Sequence, residues 1–345
     1  MSKCCANCFS DNFPTQQIEI ESQRLKTGKC DFCGSDNVKL FEPSDLVDYF
    51  DVLFGLYKES EDPTARSMES LLRIDWALFE NLNSVKAKRL LQLIFGNSNM
   101  FQKKYTPIIQ PDLSAIQEWS NFREELKHHN RFFPKNIQAT EQLKELFGFI
   151  FSPPVDTPSK VFRARICEQS EMFTLDQMGK PPLDSTSNGR ANPVGIPCLY
   201  VASDKKTAIA EIRPSKGEKV CVAAFKADKE MQFADLSNPR KTISPFLLSE
   251  EQIKLLRRYM EYLCRLSEEL TLPVSPKSAH LEYLPSQYLC EFIKHCGFDG
   301  LMYKSAMGPG VNYAIFNDAK VTGINVQQYR IDDLSIEYSK CKGCY

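Results

Sequence analysis

The chain has 345 residues, of which 42% are hydrophobic and 25% charged, the balance of a globular protein of two or three domains rather than a disordered chain. A formal net charge of −1 excludes a broad basic surface for nucleic acid or anionic lipid. No apolar run reaches the ~18 residues that span a bilayer. The first residues also lack the apolar core of a signal peptide, so we expect a cytoplasmic protein without membrane contacts.

Two cysteine pairs stand near the N-terminus. Cys5-Ala-Asn-Cys8 and Cys30-Asp-Phe-Cys33 each have the C-x-x-C spacing that lets two thiolates reach one ion. Because cytoplasmic thiols are kept reduced, this spacing favours a metal site over disulfides. We therefore predict a zinc ribbon over residues 1–42 with these four cysteines as ligands of a structural zinc ion, and Cys4 as a substitute ligand. Reduced thiols without metal are the alternative.

The predicted ribbon is electrically balanced. Residues 1–40 contain five basic and five acidic side chains before any thiolate is counted. A neutral or acidic ribbon binds phosphate backbones poorly, so we expect a structural or protein-binding role and no nucleic-acid contact.

A helical domain is predicted for residues 43–150, where hydrophobic residues recur at helical spacing in four places. Ser44 and Ser84 are placed as the N-caps of the first two helices. The other two helices surround Trp119 and Leu146.

Within this zone, Arg123 and His128 have the R-x₄-H spacing of HEPN ribonucleases, in which Arg stabilises phosphate charge and His moves a proton. On an uninterrupted helix, however, positions five apart point ~140° apart and do not converge. Glu124, four residues before His128, instead indicates an ion pair on a solvated helix face. We prefer that surface interpretation and keep the ribonuclease as an alternative.

The pattern changes after a proline-rich linker that begins at Phe151, and an α+β domain is predicted for residues 154–335. Its β-prone runs are Val161–Ile166, Cys198–Ala202, Val220–Phe225, Gly300–Tyr303 and Asn312–Phe316. One intervening helix begins at the capping box Ser249-Glu-Glu-Gln252, and another runs from Pro285 to Cys296 and stops at Gly297.

The chain ends in a short segment, residues 336–345, that contains Cys341 and Cys344. One pair cannot close a zinc site by itself, so a tail is favoured over a metal site shared with a partner.

The α+β zone carries a set of short motifs. They are Phe162-Arg163-Ala-Arg165, Gly189-Arg190-Ala-Asn192-Pro-Val-Gly195, Leu199-Tyr200, Thr207-Ala-Ile-Ala-Glu211, Tyr303-Lys-Ser305 and the strand start at Asn312. In combination they resemble the RES domain, a family named for its Arg, Glu and Ser. The resemblance covers residues 154–333, about half of the chain.

This resemblance implies an ADP-ribosyltransferase-like fold and a toxin of a toxin–antitoxin pair that degrades NAD or modifies targets with ADP-ribose. It also implies an antitoxin or immunity protein that covers the pocket, whereas self-association stays open. The two preceding zones are similar to those of longer RES proteins, whose helical part is described as HEPN-like.

The resemblance assigns functional residues one by one. The strand Arg falls on Arg163, with Arg165 close enough to compete. The loop Arg falls on Arg190, the strand Tyr on Tyr200 and the helix Glu on Glu211. The Ser falls on Ser305. Ser286 competes with it, although its position suits a helix N-cap.

These residue types suit NAD. A guanidinium group can donate two parallel hydrogen bonds to the oxygens of one phosphate, so arginines suit the pyrophosphate of NAD. Glu211 could stabilise the positive charge that develops on ribose as the glycosidic bond breaks, with a buried structural ion pair as the alternative. Tyr200 could stack on a ring or pack in the core. We expect Ser305 to hydrogen-bond the nicotinamide amide or the ribose, and Asn192 and Asn312 to orient the pocket, although either Asn could simply complete a turn.

Four hypotheses follow. The first is an NAD-degrading toxin or defence effector that uses Glu211, Arg190 and Ser305 in catalysis, with water or phosphate as the acceptor. The second is an ADP-ribosyltransferase that acts on a protein. The third is a HEPN-type ribonuclease whose RES domain senses NAD. The fourth is a binding scaffold held by the zinc ribbon.

Overall fold

The computed structural model describes residues 2–11, 26–96, 99–135, 140–152, 160–167, 171–275 and 277–335. Most of the predicted linker and the terminal segment with Cys341 and Cys344 lie outside these residues. None of the helices within them is long and apolar enough to cross a membrane.

The chain forms two compact units that interleave along the sequence. The first contains Met1–Phe122, Asn136–Ile150 and Asn238–Leu266, and the second contains Arg123–Lys135, Phe151–Ser237 and Ser267–Tyr345. The two compact units therefore differ from the domains predicted from the sequence, which follow one another along the chain with boundaries at residues 42, 150 and 335. Those domain boundaries stay a prediction.

The helices follow the predicted pattern in most places. They are α1 (Val47–Phe54), α2 (Met68–Trp76), α3 (Ser84–Phe95), α4 (Leu113–His128), α5 (Thr140–Phe149), α6 (Lys205–Glu211), α7 (Pro239–Thr242), α8 (Glu250–Thr271), α9 (Ala279–Glu282) and α10 (Leu284–His295). Trp119 lies in α4 and Leu146 in α5, as expected. The capping box of α8 is confirmed, because the Ser249 amide donates to Gln252 Oε1 (2.9 Å) and the Gln252 amide donates to Ser249 Oγ (3.3 Å).

Two predicted N-caps were wrong by a short distance. Ser44 lies inside a 3₁₀ turn, Pro43–Leu46, that leads into α1. Ser84 is the first residue of α3, and the cap is Asn83, whose side chain accepts the Lys86 amide (2.9 Å). Asn and Ser are nearly equal as N-caps, so neighbouring polar residues compete for the position.

The first unit has an aromatic core and a buried polar network. The rings of Phe9 and Phe79 lie 5.7 Å apart, beside Phe50. Asp75 of α2 accepts hydrogen bonds from Arg257 Nε of α8 (2.9 Å) and from the Tyr57 hydroxyl (2.9 Å). This ion pair helps to place the first part of α8 in the first unit, because a buried charge needs its partner.

Five strands of the second unit were predicted to within two residues at each end, whereas three others of that unit and the strands of the first unit were not predicted. They are β1 (Thr27–Gly28), β2 (Val38–Lys39), β3 (Tyr57–Glu59), β4 (Tyr105–Pro107), β5 (Phe151–Ser152), β6 (Val161–Ile166), β7 (Leu199–Ala202), β8 (Lys219–Ala227), β9 (Phe233–Asp235), β10 (Gly300–Lys304), β11 (Val311–Ile315) and β12 (Val321–Arg330). Short antiparallel pairs join β1 to β2 and β3 to β4.

One sheet organises the second unit. Its described strands run in the order β12-β8-β6-β7-β11-β10-β9-β5, antiparallel except for the β9–β10 pair. Leu199, Val201, Phe225 and Ile315 are buried in its core. Helix α6 contacts β6, β7 and β8 beside the centre of the sheet. The predicted α+β class is confirmed.

Candidate functional site

A cavity of about 680 Å³ lies beside the central strands of the second unit. Its walls come from β6, β7, β10 and β11, from the end of α6, from the loop of residues 188–190, from the turn after β10, and from the chain between the end of α8 and Tyr283. Five of the sequence-predicted residues line it: Arg163, Arg190, Tyr200, Glu211 and Asn312. Sequence reasoning missed several others on the walls, of which Arg213 and Lys304 carry charge.

Glu211 is the last residue of α6 and is exposed within the cavity. Its Oε1 accepts hydrogen bonds from Ser305 Oγ (2.6 Å) and from Asn312 Nδ2 (2.7 Å). Both donors are 5% exposed and stand near the turn that joins β10 to β11. Because both bonds go to Oε1, they fix the orientation of the carboxylate, and no described residue is bonded to Oε2.

Ser305 lies behind Glu211. Its hydroxyl donates to Glu211 and accepts the amides of Met307 (3.1 Å) and Gly308 (2.8 Å). These bonds occupy the proton and both lone pairs of the hydroxyl. The geometry therefore favours orientation of Glu211 by Ser305 over the ligand contact that was expected.

Two glycines let the β10–β11 turn approach α6. A Cβ at Gly308 would lie 2.7 Å from the Thr207 Cα, and one at Gly310 would lie 2.8 Å from Thr207 Oγ1. The Gly310 amide donates to that same Oγ1 (3.0 Å). These close contacts bring Ser305 within reach of Glu211. Neither glycine belongs to the motifs from which the site was predicted.

The Arg190 side chain reaches the end of α8. Its guanidinium donates to the carbonyl oxygens of Glu269 (3.3 Å) and Leu272 (2.8 Å). The guanidinium carbon also lies 5.4 Å from the centre of the Tyr283 ring. Arg190 thus has a fixed position on the cavity wall.

The backbone around Arg190 is held by the first turn of α10. Ser286 Oγ donates to the Arg190 carbonyl (2.7 Å), and Gln287 Nε2 donates to the carbonyls of Gly189 (2.7 Å) and Asn192 (3.0 Å). Ser286 is the third residue of α10, so its predicted role as an N-cap was wrong. Gln287 was missed, because an isolated Gln gives no sequence signal.

Tyr200 and Asn192 support the same loop. The Tyr200 hydroxyl donates to Asn192 Oδ1 (2.7 Å) and accepts the Ala191 amide (2.9 Å). A Cβ at Gly189 would lie 2.6 Å from the Tyr200 hydroxyl oxygen, so glycine is needed there for contact with protein rather than with a ligand. Burial raises the pKa of Tyr200, which therefore stays protonated.

The two strand arginines have different surroundings. Arg163 lines the cavity and donates to the Gly179 carbonyl (2.7 Å). Burial and the charge of Arg165 lower the pKa of Arg163 to about 10, so it is a cation at neutral pH that an anion would stabilise. Arg165 instead donates to the Gln177 carbonyl (2.7 Å), with its guanidinium 4.2 Å from the Phe173 ring.

The cysteine pairs of the first unit come together. The Sγ atoms of Cys5, Cys8, Cys30 and Cys33 all lie within 4.8 Å of one another. Tetrahedral zinc with Zn–S bonds of ~2.3 Å places its sulfurs ~3.8 Å apart, so the cluster fits such an ion. The proposed substitute, Cys4, is buried and directs its thiol at the Phe41 carbonyl (3.7 Å).

Arg123 and His128 have separate partners. Arg123 Nε forms an ion pair with Glu269 (2.9 Å), and His128 lies 3.8 Å from Glu124. Helix α4 is continuous through both residues, so the two side chains leave it in different directions. The geometry gives no support to a joint ribonuclease site.

The sheet, with a lateral cavity lined by one carboxylate and several cationic side chains, defines an α+β domain. Residues 160–337, just over half of the chain, match the RES domain family, and the chain belongs to that family. The cysteine cluster and the helical zone lie outside the matched residues.

A search of solved structures found similarity to the Mycobacterium tuberculosis MbcT–MbcA toxin–antitoxin complex. The sequence identity is 9%, the alignment covers 55% of this chain and 93% of that chain, and the TM-score is 0.32. A search of curated proteins gave no match.

Proposed function

We propose that the cavity binds NAD and that the chain cleaves the nicotinamide–ribose bond, as a toxin or defence effector. The observation that carries this proposal is the oriented carboxylate of Glu211, held by Ser305 and Asn312 within a cationic cavity. Membership of the RES family supports the same substrate, because the resemblance to that family implies action on NAD. Five of the residues predicted from that resemblance line the cavity.

The cavity suits a dinucleotide in size and charge. Its volume of about 680 Å³ lies in the ordinary range for ligand pockets, roughly 300–1,000 Å³. Four cationic side chains line it against the single carboxylate of Glu211: Arg163, Arg190, Arg213 and Lys304. This excess of positive charge matches a pyrophosphate, and the apolar wall of Leu270, Pro273 and Val274 suits a planar ring.

Glu211 would act on the ribose. When the bond to C1′ breaks, nicotinamide leaves with the bonding electron pair and the ribose becomes cationic. A fixed carboxylate stabilises that charge without reorganising during the reaction. The oxygen of an acceptor then bonds to C1′ and its proton passes to solvent. Water, inorganic phosphate and a protein side chain are the candidate acceptors.

An NAD assay tests this proposal. Purified protein is incubated with NAD, with and without phosphate, while free nicotinamide and the ADP-ribose product are followed. Glu211→Gln keeps the shape of the side chain but removes its charge, so we expect kcat to fall ~10³-fold. Glu230→Gln, which alters an exposed carboxylate of the same unit, should leave kcat unchanged.

The products separate the alternatives. Free ADP-ribose indicates hydrolysis, a phosphorylated product indicates phosphorolysis, and label on a protein indicates transfer. The absence of nicotinamide release from the wild type, even after any bound inhibitor is removed, would overturn the proposal. Toxicity that survives Glu211→Ala but is lost with His128→Ala would favour the ribonuclease.

An antitoxin or immunity protein that covers this cavity is part of the same proposal, and inhibition of nicotinamide release by such a partner would test it.

A further inference from the structure

A cluster of charged side chains lies at the C-terminal end of α4, in the part of the helix that belongs to the second unit. Arg123 Nε lies 2.9 Å from the carboxylate of Glu269, and their side chains are only 16% and 2% exposed. Lys127, whose side chain is 8% exposed, lies 3.0 Å from Glu282. Arg123 also approaches Glu282, at 3.7 Å. Removing one partner of such a buried ion pair is costly, because the other charge is then left uncompensated.

Both acidic residues adjoin contacts of Arg190. The carbonyl of Glu269 accepts a hydrogen bond from Arg190, while the carboxylate of the same residue binds Arg123. Glu282 directly precedes Tyr283, whose ring lies beside the Arg190 guanidinium and lines the cavity. Arg123 and Lys127 of α4 therefore form ion pairs with Glu269 and Glu282. These two acidic residues belong to the segments that contact the Arg190 side chain.

We propose that Arg123, supported by Lys127, is a positioning residue for the NAD site and acts through Glu269 on Arg190. This inference rests on the proposed function. It gives the arginine of the R-x₄-H spacing a role that needs no ribonuclease chemistry. It also extends the site beyond the residues that match the family, since Arg123 and Lys127 precede residue 160. Arg123 does not touch the ligand in this scheme.

Steady-state kinetics of full-length variants test the inference. Arg123→Met should raise the KM for NAD about tenfold with kcat within twofold, because a displaced Arg190 weakens ground-state and transition-state binding alike. Arg123→Lys keeps a cation near Glu269 and should recover part of the loss. Arg131→Met replaces an exposed arginine of the same segment and should change nothing.

A double-mutant cycle separates positioning from general damage. If Arg123 acts through Arg190, Arg123→Met should change KM by less than about twofold in an Arg190→Ala background. Effects that multiply would overturn the inference. So would a loss of kcat equal to the rise in KM, or the absence of any recovery with Arg123→Lys.

Amide hydrogen exchange tests the inference even if the wild type releases no nicotinamide. Without NAD, Arg123→Met should accelerate exchange in residues 189–192 and 270–275 by about fivefold or more, because the contacts that hold both segments are weakened. Arg131→Met should leave these rates unchanged. Unchanged rates in Arg123→Met would exclude the positioning role, whereas a failed NAD assay with accelerated exchange would count against the proposed substrate alone.

Discussion

The cysteine cluster and the cavity proposed to bind NAD are built in opposite ways. The cluster takes four thiols from two short C-x-x-C segments, and each segment brings its own pair together through local backbone geometry. The cavity takes its key residues from Arg163 to Asn312, across strands, loops and helices. Spacing along the chain therefore specifies the cysteine cluster almost completely, whereas it specifies only the residue types of the cavity.

The two regions also differ in what they need. Four thiolates repel one another unless a cation binds, and the cationic cavity wall is unfavourable unless an anion binds. We therefore expect metal binding to stabilise the fold of the first unit. In the second unit, we expect the positive charge of the cavity wall to serve the binding of NAD.

The largest effect should come from the metal site. Cys8→Ser removes one of four thiolates, and structural zinc contributes ~10 kcal/mol or more of apparent binding free energy that is also folding free energy. Elemental analysis should find about one zinc per wild-type chain, little in Cys8→Ser, and a marked fall in Tm with the metal lost. Cys4→Ser, which alters the buried neighbour outside the cluster, should keep its zinc. Full thermal stability without any metal would show that the cysteines are unliganded thiols.

The second effect concerns the strand arginines. Arg163→Ala should raise the KM for NAD ~30-fold or more, because a charge-assisted bond to phosphate contributes ~2 kcal/mol and the cavity loses a buried cation. Arg165→Ala is the matched control two residues along β6 and should change KM by less than about threefold, since its guanidinium stacks on Phe173. The reverse order, measured by kinetics or by calorimetry with ADP-ribose, would contradict the assignment drawn from the cavity.

Arg163 and Arg165 show which part of the site could be predicted from the sequence and which part could not. The strand Val161–Ile166 was predicted with its observed limits, because β-prone residues bounded by turn formers give a strong local signal. Which arginine reaches the cavity depends on Gly179 and Phe173, whose positions the strand pattern does not encode. The structure separates the two arginines through these tertiary contacts.

Several other elements and contacts were not predicted from the sequence. Helix α2 and strand β12 gave no clear periodic signal and were not predicted. Gln287 and Gly308 act through partners about a hundred residues away, at Gly189 and Thr207. Glu211 was accessible from the sequence because an acid within an apolar helical stretch stands out. Its orientation by Ser305 and Asn312 required the sheet register.

The smallest effect should come from Tyr200, where two explanations remain. Tyr200→Phe removes the hydroxyl that joins Asn192 to the Ala191 amide but keeps the ring. A hydrogen bond contributes ~1 kcal/mol net, so KM should rise about fivefold through a looser Arg190 loop. Tyr313→Phe, in the adjacent strand β11 and buried in the core, should leave KM unchanged. If the ring also stacks on NAD, Tyr200→Leu should raise KM by a further factor of ten or so, since stacking contributes ~1 kcal/mol or more. Equal effects of Tyr200→Phe and Tyr200→Leu would instead assign Tyr200 to the support of the loop alone.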